Sequence, residues 1–317
     1  MVRTETLAWL FPGQGTQTVG MGSAIREASL AARDVFSRAD AALGESLSKT
    51  ILEGPEETLT LTANAQPAIV TVSTAVLAAI KERNPALPSP RFAAGHSLGE
   101  YSALVAAGAL AFEDAVRIVR ARGRAMQDAV AEGTGAMAAV MGLSSEDVRA
   151  ACAAASEGDV VSPANFNAPG QIVIAGSKAA VERASAEVSK RGGKSIPLKV
   201  SAPFHCALMA PAAKRVAEEL AKVSVGPLAF PVIANFDAEA NEQSNRVSEL
   251  LVRQVDGAVR WEESILKMRA AGVTHAIEIG PGTVLAGLVK RIAKEIKVHS
   301  VSDPASLDAL TPFLNDA

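Results

Sequence analysis

Apolar residues along this chain follow two rhythms. Short, mostly apolar runs, Leu7 to Phe11, Phe92 to Ala94, Val232 to Asn235 and Ala276 to Ile279, are bounded by glycine or proline and predict strands. Between them, Ala65 to Lys81 and Phe112 to Ala131 carry apolar residues at helical spacing. Asn84-Pro85 and Pro88-Ser89-Pro90 break the chain just ahead of the second strand. Strands alternating with longer helices predict an α/β fold with a parallel sheet.

One stretch departs from that alternation. Ala136 to Met141 predicts a strand, Ser144 to Ala155 a helix, and Val160 to Asn165 with Gln171 to Ala175 a hairpin; Ser177 to Arg191 then predicts a helix and Ser195 to Val200 a last strand. The order β-α-β-β-α-β is that of a ferredoxin-like unit. The expected organisation is therefore a parent α/β subdomain from residues 1–133 and 201–317, with a ferredoxin-like subdomain at 134–200 inserted into it. A cleft between two such lobes is a common place for a site.

Composition narrows the function. With 317 residues, 49% hydrophobic and 21% charged, the chain can bury a large core. A formal net charge of -3 supplies no global field for nucleic acid or anionic lipid. Cys152 and Cys206 are too few for a disulfide framework and lack metal-ligand spacing, so a reducing cytoplasm and no metal are expected. The first residues lack a signal-peptide core, and the longest apolar run, Ala103 to Phe112, is interrupted by Gly108; no membrane association is expected.

The strongest chemical motif is Gly95-His96-Ser97-Leu98-Gly99, between a predicted strand and a predicted helix. Gly-x-Ser-x-Gly at that junction is a nucleophile elbow: the serine occupies a strained turn, and the flanking glycines remove side chains that would collide. A base is then needed, and His96, His205, His275 and His299 are the four histidines. Spacing does not choose among them. A hydrolase-like chain order favours His275 or His299 with an aspartate such as Asp256 as orienter, whereas His205 sits in a loop leaving the insert and able to overhang the cleft.

Arg122 is the next candidate. At 100° per residue it shares the apolar stripe of Ala115, Ile118, Val119 and Met126, while Arg117, Arg120 and Arg124 fall on the face expected to be wet. A guanidinium on an apolar stripe calls for an anionic partner, either an internal carboxylate or the carboxylate of a substrate. Near the start, Gly13-Gln14-Gly15 follows a strand but lacks the third glycine of a dinucleotide fingerprint and the lysine of a P-loop, leaving a tight turn or a backbone-donating loop.

Taken together, Phe11-Pro12-Gly13-Gln14-Gly15, Gly95-His96-Ser97-Leu98-Gly99-Glu100, Arg122-Gly123, Pro203-Phe204-His205 and Gln254 resemble the family of malonyl-CoA:acyl-carrier-protein transacylases. Asn64-Ala65-Gln66-Pro67, Asn165-Phe166-Asn167-Ala168-Pro169-Gly170-Gln171 and Ile277-Glu278-Ile279-Gly280-Pro281-Gly282 extend the resemblance over nearly the whole chain. It implies an α/β-hydrolase-like large subdomain and a ferredoxin-like small one. It also implies Ser97 as nucleophile and His205 as base, the latter oriented by a main-chain carbonyl near Gln254 rather than by an aspartate. The oxyanion donors would be the backbone N–H groups of Gln14 and Leu98, and Arg122 would pair with the malonyl carboxylate. Gln254, Phe204, His96, Gln66 and Asn167 would surround the substrate, with Phe204 resembling malonyl-selective members. The implied partners are malonyl-CoA and acyl carrier protein, with no resident cofactor. A polyketide acyltransferase acting in trans, an acyl-thioester hydrolase and a non-enzymatic scaffold are the competing readings. Two basic clusters, Lys190-Arg191 with Lys194 and Lys290-Arg291 with Lys294, are candidates for docking an acidic carrier.

Overall fold

The structure, a computed structural model, describes residues 2–315. Its larger sheet has six strands in the order β10-β9-β1-β2-β7-β8, with β1 at Leu7–Phe11, β2 at Phe92–Gly95, β7 at Val232–Ile233, β8 at Ala240–Asn241, β9 at His275–Ile279 and β10 at Lys297–Val301. Neighbouring pairs from β10 to β7 are parallel, and β8 closes the edge antiparallel to β7. Every residue of β1 and β9 is buried, as expected of parallel strands covered on both faces; β1 accordingly reads as a continuous apolar run, while β9 carries buried His275 and Glu278 among its apolar residues.

Helix Thr62–Arg83 lies in the core on one side of that sheet, packed against helix Phe112–Asp128. It is long and apolar enough to cross a membrane by length and composition, yet 78% of its apolar window is buried within the protein, so its apolarity is that of a core helix. Gly123 permits the close approach of the two helices, because a Cβ there would meet the carbonyl of Thr62 and the Cα of Ala63. The apolar stripe foreseen on Phe112–Asp128 is present, with Ala115, Ile118, Val119, Arg122 and Met126 all buried. Arg120 is a correction to the expected wet face: it is also buried, with its guanidinium bonded to Glu45 and Asn64.

A second sheet, antiparallel throughout, has the order β4-β5-β3-β6, with β3 at Gly135–Met141, β4 at Val161–Ala168, β5 at Gln171–Ser177 and β6 at Lys194–Pro197. Helices Ser145–Ala155 and Lys178–Lys190 pack on it around a separate apolar cluster that includes Val140, Val148, Ile172, Ile174 and Val188. The β-α-β-β-α-β order is thus present. Its last strand is shorter than expected, since residues 198–200 leave the ladder and expose Leu198 and Val200. Asn165 of β4 bridges Val259, which lies between helices Ser244–Asp256 and Trp261–Ala270, and so ties the second sheet to the larger unit.

Candidate active site

Three adjacent parallel strands, β1, β2 and β7, deliver their C-terminal ends to one place, the usual position of a site in an open α/β sheet. After β1 comes the Gly13-Gln14-Gly15 turn, after β2 comes Ser97, and two residues beyond β7 comes Asn235. Ser97 has φ 52°, a left-handed conformation unusual for a residue with a side chain, and it stands between β2 and helix Gly99–Ala106. The glycines of the elbow are sterically required. A Cβ on Gly95 would overlap the backbone of Gly99, and one on Gly99 would overlap the carbonyl of Phe11 at the end of β1. The turn is braced by Asn235, whose Oδ1 accepts the Ser97 amide at 2.7 Å while its Nδ2 donates to the Gly95 carbonyl at 2.7 Å.

His205 is the histidine that meets the serine. Ser97 Oγ lies 2.7 Å from His205 Nε2, and His205 Nδ1 lies 2.9 Å from the backbone oxygen of Gln254. A carbonyl only accepts, so Nδ1 carries the proton and Nε2 is free to receive one from the hydroxyl. That carbonyl belongs to the last turn of helix Ser244–Asp256, where helix geometry leaves carbonyls without intrahelical donors. Asp256, the alternative orienter, therefore has no part in holding the imidazole. His205 itself has φ 61°, so both members of this hydrogen-bonded pair sit on strained backbone. Burial, reinforced by the nearby Arg122 cation, pulls the imidazole down to about 3 and keeps it neutral. His275 and His299 lie in β9 and β10, where His275 stacks edge-on with Phe313 and His299 approaches the Ser306 carbonyl, away from the elbow.

Arg122 reaches the same hydroxyl. Its Nη2 donates to Ser97 Oγ at 3.1 Å and to Gln254 Oε1 at 2.9 Å, and its Nη1 donates to Gln66 Oε1 at 2.7 Å. The residue is 1% exposed, and among the described residues no carboxylate lies within ion-pair distance of it. Among the described residues its Nε has no acceptor. The internal carboxylate that the sequence left open is absent from its contacts; two neutral amides and the ring of Tyr101 hold it instead, and burial lowers its pKa.

The remaining candidates surround this pair. His96 Nε2 donates to Asn167 Oδ1 at 2.8 Å, which ties the elbow to β4 of the second sheet. Gln14, Gln66, His96, Ser97, Arg122, Asn167, Phe204 and His205 all line one cavity of about 440 Å³ between the two sheets. Leu98 is buried at the start of its helix, and neither its amide nor that of Gln14 is engaged by a protein acceptor among the described residues. A second groove of about 560 Å³ runs along Arg117, Arg124 and Arg215, but it is lined by no serine, cysteine or histidine. Two buried members of the site carried no role in the sequence reading: Asn235 and Glu100. Glu100 Oε2 accepts from the Asn235 amide at 2.9 Å and from Gln254 Nε2 at 2.7 Å, and burial pushes its carboxyl up to about 7. A carboxylate at the start of the helix that follows the elbow, just ahead of the apolar run Ala103 to Phe112, was the available sign.

Residues 8–312 match the family model described as acyl transferase domain. The chain is 49% identical over 312 residues to the malonyl CoA-acyl carrier protein transacylase of Bacillus subtilis (strain 168), covering 98% of both chains. It also resembles the crystal structure of an acyl carrier protein S-malonyltransferase from Vibrio cholerae O1 biovar eltor, with 45% identity and a TM-score of 0.94 over 96% of this chain and 99% of that one. A type II PKS acyl-carrier protein in complex with its malonyl-transacylase gives 43% identity and a TM-score of 0.92, over 96% and 98% of the respective chains.

Proposed function

The chain belongs to the acyl transferase domain family, and from that premise we propose that it transfers a malonyl group from malonyl-CoA to the phosphopantetheine thiol of an acyl carrier protein. The observation that carries the reading is a buried guanidinium with no carboxylate partner, 3.1 Å from a serine hydroxyl that is itself 2.7 Å from a neutral imidazole. A serine and histidine suffice for acyl transfer; the unpaired cation selects an acyl group that brings its own carboxylate.

In the first half-reaction His205 Nε2 takes the Ser97 proton as Oγ attacks the thioester carbon. The amides of Gln14 and Leu98 receive the oxyanion, and the imidazolium returns its proton to the departing thiolate of coenzyme A. In the second, His205 removes the carrier thiol's proton, sulfur attacks the malonyl-serine, and Ser97 leaves with the proton restored. Arg122 holds the malonyl carboxylate through both halves, with Gln66 and Gln254 fixing its direction. Phe204 crowds the α-carbon, and His96 and Asn167 close the wall on the side of the second sheet. The chain supplies every group in this cycle without a resident cofactor or metal.

The reading extends to architecture and setting. The six-stranded sheet with its helices, residues 1–133 and 201–317, is taken as an α/β-hydrolase-like catalytic subdomain, and residues 134–200 as a ferredoxin-like one, their sheet orders supporting both names. The cytoplasm is the proposed location, and fatty-acid synthesis the proposed pathway ahead of a polyketide pathway served in trans.

Intact mass after mixing with malonyl-CoA is the direct test. The protein is expected to gain one malonyl group and lose it when a thiol-bearing carrier is added, and Ser97→Ala to gain none. Release of free malonate without a carrier, at the rate seen with one, would identify a thioester hydrolase instead.

A further inference from the structure

Glu100 has no task in the transfer cycle, yet it occupies the centre of the site's hydrogen-bond network. It is 2% exposed, in the first turn of helix Gly99–Ala106. Its Oε2 accepts from Gln254 Nε2, which also donates to the Ser97 carbonyl at 2.9 Å, while Gln254 Oε1 accepts from Arg122 Nη2. An amide has one donating and one accepting end. An ionised carboxylate accepts only, so it fixes the donating end of Gln254 towards itself and the oxygen towards Arg122. Reversing the amide would set NH2 against the guanidinium and oxygen against the carboxylate. A negative charge thus sits one amide away from the cation: near enough to offset it, yet outside the set of acceptors that occupy its N–H groups.

Resting on the malonyl-transfer reading, we infer that Glu100 is a positioning residue for acyl selection: acting through the Gln254 side chain, its charge holds Arg122 in place without pairing with it and limits how strongly the clamp draws a carboxylated acyl group. Glu100→Gln keeps an oxygen for the Asn235 and Gln254 donors but removes the charge. The guanidinium is then uncompensated and attracts the malonyl carboxylate more strongly, whereas an acetyl group has nothing for it to attract. A role confined to bracing the elbow would disturb Ser97 equally for both acyl groups.

The same charge makes selection depend on pH. The charged and titratable groups facing Glu100 are Arg122 from helix Phe112–Asp128, Asp237 beyond β7, and Tyr101 on its own helix. His205, on the other side of Gln254, stays neutral over the range. With its carboxyl raised to about 7 by burial, Glu100 loses its charge as the solution is acidified through neutrality.

The experiment compares kcat/KM for malonyl-CoA and acetyl-CoA, transferred to a carrier protein, in wild type and Glu100→Gln. At about pH 8 the malonyl-to-acetyl ratio is expected to be higher in Glu100→Gln by about threefold or more. In the wild type the ratio is expected to climb from about pH 8 to about pH 6, and to stay flat in the variant. A parallel fall for both substrates, or an unchanged ratio, overturns the inference. Should Glu100→Gln fail to fold, the wild-type series decides alone, since a ratio that ignores pH removes the charge from the account. A wild type that never acquires malonyl sinks the functional reading itself, which is a distinct failure.

Discussion

Arg122 shows how far a single residue can be read from its neighbours. Its place on an apolar stripe was visible in the sequence, and so was the need for an anionic partner; which partner was not, because that depends on side chains 56 and 132 positions away, Gln66 and Gln254. Arg120, two positions earlier, shows the limit: helical phase puts it on the wet face, but the loop bearing Glu45 folds over it. Arg122→Ala is expected to lower the malonyl-to-acetyl ratio of kcat/KM by about tenfold or more, since a charge-assisted hydrogen bond to a carboxylate contributes about 1.5–3 kcal/mol. Steady-state transfer of each acyl group checks it, and an unchanged ratio would remove Arg122 as selector. His205 makes a prediction about stability. Its folded-state pKa lies below the ordinary 6.5, so between 6.5 and about 3 the unfolded chain binds more protons. Its contribution therefore falls as the solution is acidified through that window. Urea unfolding at several pH values is expected to show the wild type losing ground to His205→Gln below about pH 6.5, the crossover set by the free imidazole. Glu100 acts in the opposite sense between 4.5 and about 7, where its raised pKa favours the folded state at the acid end, so the difference between the two proteins is the readable quantity.

At the level of elements, periodicity identified what is long or fully buried. β1, β9, helix Phe112–Asp128 and the inserted β-α-β-β-α-β order lie where the pattern put them, apart from the last inserted strand, which ends at Pro197 rather than Val200. The run Val232 to Asn235 did not reveal that only two of its residues pair, because a buried apolar run looks the same whether or not its last residue leaves the ladder to brace Ser97. Helices Ser23–Ala28, Leu47–Glu53 and Glu56–Thr60 are short, with apolar faces too brief to stand out, and the buried face of Leu30–Leu43 is alanine apart from Val35 and Phe36. Glycines separate the elbow's demands from ordinary helix preference. Gly99→Ala is expected to destabilise by roughly 3 kcal/mol or more, because its methyl would overlap the end of β1 and neither backbone can yield. Gly287, inside helix Val284–Ile292 with nothing within 4 Å of a built Cβ, is the contrast: Gly287→Ala is expected to stabilise by up to about 1 kcal/mol. Denaturant midpoints measure both, and equal shifts would show that the elbow is looser than its geometry.

For the molecule as a whole, the sequence offered two basic clusters for an acidic carrier and no reason to choose, since a charge run does not report which way its helix faces. The fold separates them. Lys190 pairs with Glu187, and Arg191 lies near Asp147, on the helical side of the second sheet. Arg291 instead donates to Gln171 Oε1 at 2.6 Å, and Gln171 lines a recess of about 180 Å³ shared with Gln14, His96 and Asn167, which also border the reactive cavity. If a carrier brings its thiol to Ser97 past that recess, charge at Lys290 and Arg291 lies on its approach and charge at Lys190 and Arg191 does not. Reversing both charges as Lys290→Glu with Arg291→Glu is expected to raise the carrier's KM about tenfold at low ionic strength, with the effect shrinking as salt screens it. The matching reversal at Lys190 and Arg191 is expected to change it by less than about twofold. Transfer assays over carrier concentration, at two salt levels, give both numbers; the opposite ranking would place the approach on the far side of the second sheet and require the carrier arm to enter past Leu198 and Val200 instead.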